Sequence, residues 1–274
     1  MTTSPRPTDS QETPIEVPPI KPHIVAVHCA DDGLLATFIF EPPRGAVPST
    51  SGGTGDKPPI LMLHGNGGSH GSFWQIAPIF AARGHVVIVP DMRGQGISTR
   101  GSEPLTYELL ADDARHVLNN VGVSDAVVLG YSDGGIEALL LARDYPQHIA
   151  GILCMGANLS PEGVLPMDEP MEDQEALLRT VARYFPAAKI HAELLSLMIN
   201  EPQIDPASLA AISCPATIMA GEFDAIAPEE TDRIAEAVPG ARKVIVEGAG
   251  HGLMKDAPQT VIDELQRLVD TVMT

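Results

Sequence analysis

A chain of 274 residues that is 44% hydrophobic and 19% charged can bury one large core, and α/β chains of this length commonly fold as a single domain. Its 17 Lys and Arg against 36 Asp and Glu leave a formal net charge of −19, which excludes nucleic acid as a partner, because phosphate binding needs clustered cations, and disfavours anionic membrane surfaces. The three cysteines, Cys29, Cys154 and Cys214, are widely spaced, odd in number and in no metal-ligand spacing, so free thiols in a reducing compartment are expected rather than a disulfide framework.

Residues 1–22 are rich in Pro, Thr and Ser and carry little that packs, which predicts a disordered tail. The first residues lack the basic and then apolar order of a signal peptide, and no apolar run approaches the about 20 residues of a membrane span, so a cytoplasmic location is expected. Residues 24–29 and 34–40 are rich in β-formers around Asp31-Asp32-Gly33, a turn signal, and predict an opening hairpin. Residues 41–59, with the run Ser51-Gly52-Gly53-Thr54-Gly55, predict an exposed, mobile loop.

From Ile60 the pattern becomes regular. Short apolar strands at 60–63, 86–89, 126–129, 149–154, 216–220 and 243–246 alternate with helices that begin near Phe73, Thr106, Gly134, Pro228 and Pro258. This alternation is the signature of an α/β protein with a mostly parallel sheet covered by helices on both faces. Between Leu159 and Ser213 the rhythm breaks: no strand is evident, only two helical stretches, 172–184 and 187–198, separated at Pro186. An insertion at the end of the sheet where loops carry chemistry reads as a short helical cap. Leu177, Val181, Leu194, Leu195 and Met198 fall at helical spacings there and predict cap packing, with one or two lining a pocket. The expected organisation is therefore a tail at 1–22, a core at 23–158 and 214–274, and a cap insertion at 159–213.

The stretch Gly130-Tyr131-Ser132-Asp133-Gly134 joins an apolar strand to an amphipathic helix. A Ser with Gly at both second neighbours fits the nucleophile elbow, a turn so tight that side chains at the flanks clash with the neighbouring strand or helix. The turn presents the Ser132 hydroxyl above a helix amino terminus, whose free N–H groups favour the negative charge an acyl-transfer intermediate develops. A serine hydroxyl is a weak nucleophile and needs a base, and the base needs an orienting group. Asp224 in Gly221-Glu222-Phe223-Asp224 and His251 in Gly250-His251-Gly252 each follow a predicted strand, with Glu222 the alternative acid. The order Ser132, Asp224, His251 is one of three common triad orders, and the one the elbow calls for. His64-Gly65-Asn66-Gly67-Gly68 follows the strand at 60–63, and such Gly-rich loops aim backbone N–H groups at a substrate oxygen. The N–H groups of Asn66 and Asp133 are expected to form this oxyanion hole. No Lys-Ser or Lys-Thr follows the loop, which rules out a phosphate loop.

With Asp91-Met92-Arg93-Gly94-Gln95-Gly96 added, these motifs run from about Ile60 to the C-terminus, and together they resemble the serine α/β-hydrolase superfamily. The elbow sequence resembles its small-esterase branch, which includes valacyclovir hydrolase. The resemblance implies an α/β-hydrolase fold and a triad of Ser132, Asp224 and His251 that hydrolyses a carboxylic ester or similar small acyl compound through an acyl-enzyme. It calls for a small-molecule acyl substrate as partner and for no cofactor, metal, nucleic acid or membrane. The same triad would serve a carbon–carbon bond or lactone hydrolase, and a ligand-sensing receptor on this fold would retain it. Gly67 and Asp133 are the candidate substrate contacts: the Asp133 carboxylate is expected either to hydrogen-bond to loop backbone or to meet a substrate cation, which the acidic run Asp168, Glu169, Glu172, Asp173 and Glu175 would attract. Arg93 is expected to pair with Asp91 or a backbone carbonyl, and His64 to be a structural hydrogen-bonder.

Overall fold

A computed structural model of the chain describes residues 15–43, 57–166 and 169–274. Most of the predicted loop at 41–59, the first part of the predicted tail and Asp168 lie outside those residues. In chain order the elements are β1 (His23–His28), β2 (Leu34–Phe40), β3 (Ile60–Leu63), α1 (Ile76–Ala82), β4 (Val87–Pro90), α2 (Tyr107–Asn120), β5 (Ala126–Tyr131) and α3 (Asp133–Asp144). They continue with β6 (Ile149–Met155), α4 (Met171–Val181), α5 (Ala187–Asn200), β7 (Ala216–Phe223), α6 (Pro228–Ala237), β8 (Arg242–Gly250), α7 (Leu253–Asp256) and α8 (Pro258–Val272). The strands form one eight-stranded sheet in the order β1-β2-β4-β3-β5-β6-β7-β8. Strand β2 runs antiparallel to both β1 and β4, and every other pairing is parallel.

The apolar strands sort their side chains by the period of two that a pleated strand imposes. Leu61, Ile88, Val128, Ile152 and Ile218 face one core with α2, α3 and α6, while Met62, Val89, Leu129, Leu153 and Met219 face the other with α1 and α8. Burial on both faces is why these segments read as continuous apolar runs rather than as alternating ones. Among the described residues no helix is long and apolar enough to cross a membrane.

Several local expectations need correction. No α-helix starts at Phe73: residues His70–Phe73 form a 3₁₀ turn, capped when the Ser69 hydroxyl accepts from the Gly71 N–H, and α1 follows it. Strands β7 and β8 run past their predicted ends because their pairing resumes beyond an irregularity, with Phe223 opposite Gly250. The described part of the predicted tail is not free of the body, since Ile15 and Ile20 pack against the core that contains α1 and α8. In the β6–β7 connection, helix α5 buries Ala188, Ala192, Leu194 and Leu197, whereas α4 buries none of its residues. Leu177, predicted to pack, is 64% exposed.

Arg93 is fully buried, and its partners are neither Asp91 nor chiefly a carbonyl. Its Nε and Nη2 donate to Asp113 at 2.7 and 2.8 Å, and Nη1 donates to both oxygens of Asp31 at 2.9 and 2.7 Å. The two-nitrogen contact to Asp113 and the single nitrogen shared between both Asp31 oxygens compensate the buried guanidinium and bind the β1–β2 turn to α2. Asp91 is instead taken up by the N–H groups of His70 and Ile97 and by the His70 ring.

Candidate active site

Strand β5 ends at Tyr131 and α3 begins at Asp133, so a single residue, Ser132, makes the whole turn. It does so at φ 55°, ψ −118°, a conformation that costs a non-glycine residue about 1–3 kcal/mol. Backbone bonds hold it there: the Ser132 N–H donates to the Met155 carbonyl at 2.8 Å, and its own carbonyl accepts from Gly135 at 2.7 Å. The flanking glycines are required by contact, because a Cβ at Gly130 would collide with the Gly134 carbonyl and one at Gly134 with the Leu63 carbonyl. The elbow is therefore wedged between strand β3 and its own helix.

The irregularity that lengthens β7 and β8 delivers the other two residues to the same edge. His251 follows β8 directly, and its Nε2 lies 3.0 Å from Ser132 Oγ while its Nδ1 lies 2.6 Å from Asp224 Oδ1. Asp224 is 7% exposed, and it accepts further bonds from the N–H groups of Ile226 at 3.0 Å and Gly221 at 3.2 Å. Burial pushes its carboxyl up, but the hydrogen bond and charge of His251 together with those N–H donors outweigh it and hold the group below the usual aspartate range. The alternative acid, Glu222, is exposed and accepts from the Gly248 N–H at 2.9 Å, away from His251. Ser132, His251 and Asp224 thus form one hydrogen-bonded chain in which an ionised carboxylate favours the tautomer with its proton on Nδ1, leaving Nε2 free to accept from the hydroxyl.

The loop after β3 is held from below by His64, whose Nε2 accepts from the Met92 N–H at 3.0 Å and whose Nδ1 lies 2.8 Å from the Gly65 carbonyl. The ring is buried, and that burial pushes its pKa down, so it is a neutral strut, as predicted, and not a second base. Gly65 backs onto the elbow, where a Cβ would stand 2.9 Å from Ser132 Cβ. Among the described residues, neither the Asn66 N–H nor the Asp133 N–H donates to a protein acceptor, while Gly67, a predicted substrate contact, has its N–H engaged by Gln95 Oε1 at 2.7 Å.

The Asp133 side chain differs from both alternatives drawn from the sequence. It is 4% exposed and bonded to a side chain, accepting from Asn66 Nδ2 at 2.9 Å, with the Tyr107 hydroxyl as its other polar neighbour. Burial pushes its carboxyl up against the hydrogen bonds of Asn66 and Tyr107 and the charge of His251.

Sequence reasoning missed Gly156. It follows β6 at φ 60°, and a Cβ there would lie 2.9 Å from His251 Cε1 and 3.0 Å from its Nδ1, so only glycine leaves room for the imidazole. A glycine directly after an apolar strand is the one signal that pointed to it.

The family described as alpha/beta hydrolase fold matches residues 58–211. The chain is 26% identical over 248 residues to Lipase 3 of Moraxella sp. (strain TA144), which spans 77% of each chain. Among solved structures it is similar to a thermophilic esterase from Thermogutta terrifontis, at a TM-score of 0.71 and 23% identity over 92% of this chain and 100% of that one. It is also similar to the enol-lactonase from Burkholderia xenovorans LB400, at a TM-score of 0.69 and 19% identity over 90% and 100%.

Proposed function

The chain belongs to the alpha/beta hydrolase fold family, and on that premise we propose that it is a serine hydrolase acting on a carboxylic ester or related small acyl compound through an acyl-enzyme. The observation that carries this reading is the pair of contacts at His251, 3.0 Å to Ser132 Oγ and 2.6 Å to Asp224 Oδ1. These are the distances at which a base takes a hydroxyl proton while a carboxylate holds its tautomer.

In the proposed reaction Ser132 Oγ passes its proton to His251 Nε2 and attacks the carbonyl carbon. The carbonyl oxygen takes up the negative charge, which the N–H groups of Asn66 and Asp133 and the amino terminus of α3 stabilise. Collapse of this intermediate expels the alcohol, which takes the proton back from His251, and leaves Ser132 acylated. A water molecule then gives a proton to His251 Nε2 and attacks the acyl carbon, and the second collapse returns the proton to Ser132 as the carboxylic acid leaves. Asp224 stays ionised throughout and stabilises the imidazolium.

Turnover of a panel of short-chain acyl esters and lactones, with and without a serine-reactive phosphonate, tests the reading. Multiple turnovers abolished by the phosphonate are expected, with loss on the order of a million-fold in Ser132→Ala. Appreciable turnover by Ser132→Ala refutes the nucleophile; binding without turnover favours a receptor, and a preference for lactones over open esters moves the assignment to a lactonase on the same triad.

A further inference from the structure

The backbone N–H of Asn66 is all that the oxyanion hole asks of this residue, yet its side-chain amide nitrogen is fully engaged. Nδ2 donates to Asp133 Oδ2 at 2.9 Å and to the Leu194 carbonyl of α5 at 3.1 Å. A carbonyl only accepts, so the Leu194 contact orients the amide with its nitrogen toward α5 and Asp133, and both amide hydrogens are used. Asp133 carries the other proposed oxyanion donor. One side chain therefore joins the two residues whose N–H groups must converge on a single oxygen, and it fastens both to a helix that enters from the β6–β7 connection.

A second path makes the same link. Glu201, at the carboxyl end of α5, accepts from the Tyr107 N–H at 3.0 Å, and the buried Tyr107 places its hydroxyl beside the Asp133 carboxyl. On its other side the loop is held through His64 and through Gln95. The α5 side is held through the Asn66 amide.

Resting on the hydrolase reading above, we propose that the Asn66 side chain is a positioning group: it sets the separation of the Asn66 and Asp133 N–H donors and makes that separation depend on the seating of α5. Oxyanion donors act only within about 2.7–3.1 Å of the developing charge, and a misplacement of about 1 Å in an active site can lose about a hundredfold in rate. When α5 is seated, Leu194 and Asp133 together fix the amide and the donors converge. When α5 lifts, the amide loses one of its two acceptors and the hole slackens. Catalysis is thereby tied to closure of the helix over the site.

Substitution of Asn66 by any residue but proline keeps the backbone donor, so it isolates the side chain. The experiment compares Asn66→Ala, Asn66→Asp and the exchanged pair Asn66→Asp/Asp133→Asn with wild type. It measures kcat and KM on the best ester of the panel, affinity for a boronic acid that mimics the tetrahedral intermediate, and the rate of phosphonate labelling. Asn66→Ala is expected to lower kcat about 10- to 100-fold with KM within about threefold, and to weaken boronate binding by the same factor. Asn66→Asp sets two carboxyls against each other and loses more. The exchanged pair restores the tie with donor and acceptor reversed and recovers most of that loss; its remaining deficit reports the Leu194 contact, because aspartate has no hydrogen to offer. Asn66→Ala within twofold of wild type in kcat and boronate affinity overturns the proposal. A folded exchanged pair no better than Asn66→Asp overturns it as well, even if Asn66→Ala does not fold. Wild-type protein that neither turns over esters nor is labelled at Ser132 refutes the hydrolase reading instead, so the two failures are separable.

Discussion

Replacing Glu137 by glutamine is expected to stabilise this protein, and to do so increasingly as the pH rises. Glu137 lies in α3 one turn beyond Asp133, is 1% exposed, and its Oε2 has no hydrogen-bond partner among the described residues. Burial pushes its carboxyl well above the usual glutamate range, and the charges of Asp133 and Asp113 push it the same way. The folded protein thus holds a proton that the unfolded chain releases at the ordinary glutamate pKa. Between that pKa and the raised one the native state binds more protons than the unfolded state, so stability falls as pH climbs through the window and levels off above it. Glutamine has no proton to lose and carries no charge for those carboxyls to oppose. An unpartnered buried polar group costs about 1–3 kcal/mol, and 1 kcal/mol moves the Tm of a domain this size by about 2–4 °C. Glu137→Gln should therefore raise Tm at pH 8 by roughly 2–12 °C and by less at pH 5. Calorimetric scans of both proteins across that range check it. A variant that melts lower than wild type at pH 8, or a gap that narrows with rising pH, would refute the reasoning and mean that Glu137 is ionised and compensated in the fold.

The geometry at His251 separates the two candidate acids: Asp224→Asn should lose about ten-thousand-fold in kcat through the wrong histidine tautomer, while Glu222→Gln should stay within a few-fold, and the reverse ranking would reassign the acid. Gly156→Ala should fold but lose at least about tenfold in kcat, the scale of a catalytic group displaced by a fraction of an ångström; unchanged turnover would show that the imidazole has room to shift. Deleting residues 1–19 removes Ile15 and Pro18 from a hollow they share with Ile79, Ala82 and Ile262. Loss of one partly buried isoleucine is worth about 1 kcal/mol, so a fall in Tm of about 2–4 °C is expected, and an unaltered melt would mean that this contact adds nothing.

Local pattern was sufficient for most of the elements and for the three residues that the fold brings into one hydrogen-bonded chain. Strands β3 to β6 and the first part of β7 are apolar runs because both their faces are covered, and that requirement is written in the strand itself, as at Ile60 and Leu61 or Val127 and Val128. The elbow is equally local: Gly130, Ser132 and Gly134 are dictated by contacts with residues a few positions away and with one neighbouring strand, so the motif was recognisable before the neighbour was. Asp224 and His251 were singled out for the same reason, as polar residues in the short segments that follow apolar strands.

What sequence alone did not decide is which side chains meet across the fold. Arg93 was expected to pair with Asp91, two positions away, or with a backbone carbonyl, but it pairs with Asp31 and Asp113, brought to it by the β1–β2 turn and α2. Asp133 was expected either to hydrogen-bond to loop backbone or to meet a substrate cation, whereas the folded chain covers its carboxylate with the side chains of Asn66 and Tyr107. Gly156 looked like an ordinary residue after a strand until β8 carried His251 against it. In each case the partner comes from a segment distant in the chain, and for Gly156 it is set by the register in which β7 and β8 resume their pairing, a property of the assembled sheet that no window of neighbouring residues encodes. Local sequence specifies what a segment is and which groups it offers; the desolvation and pairing that give those groups their charge state and their orientation arise only when distant segments close around them.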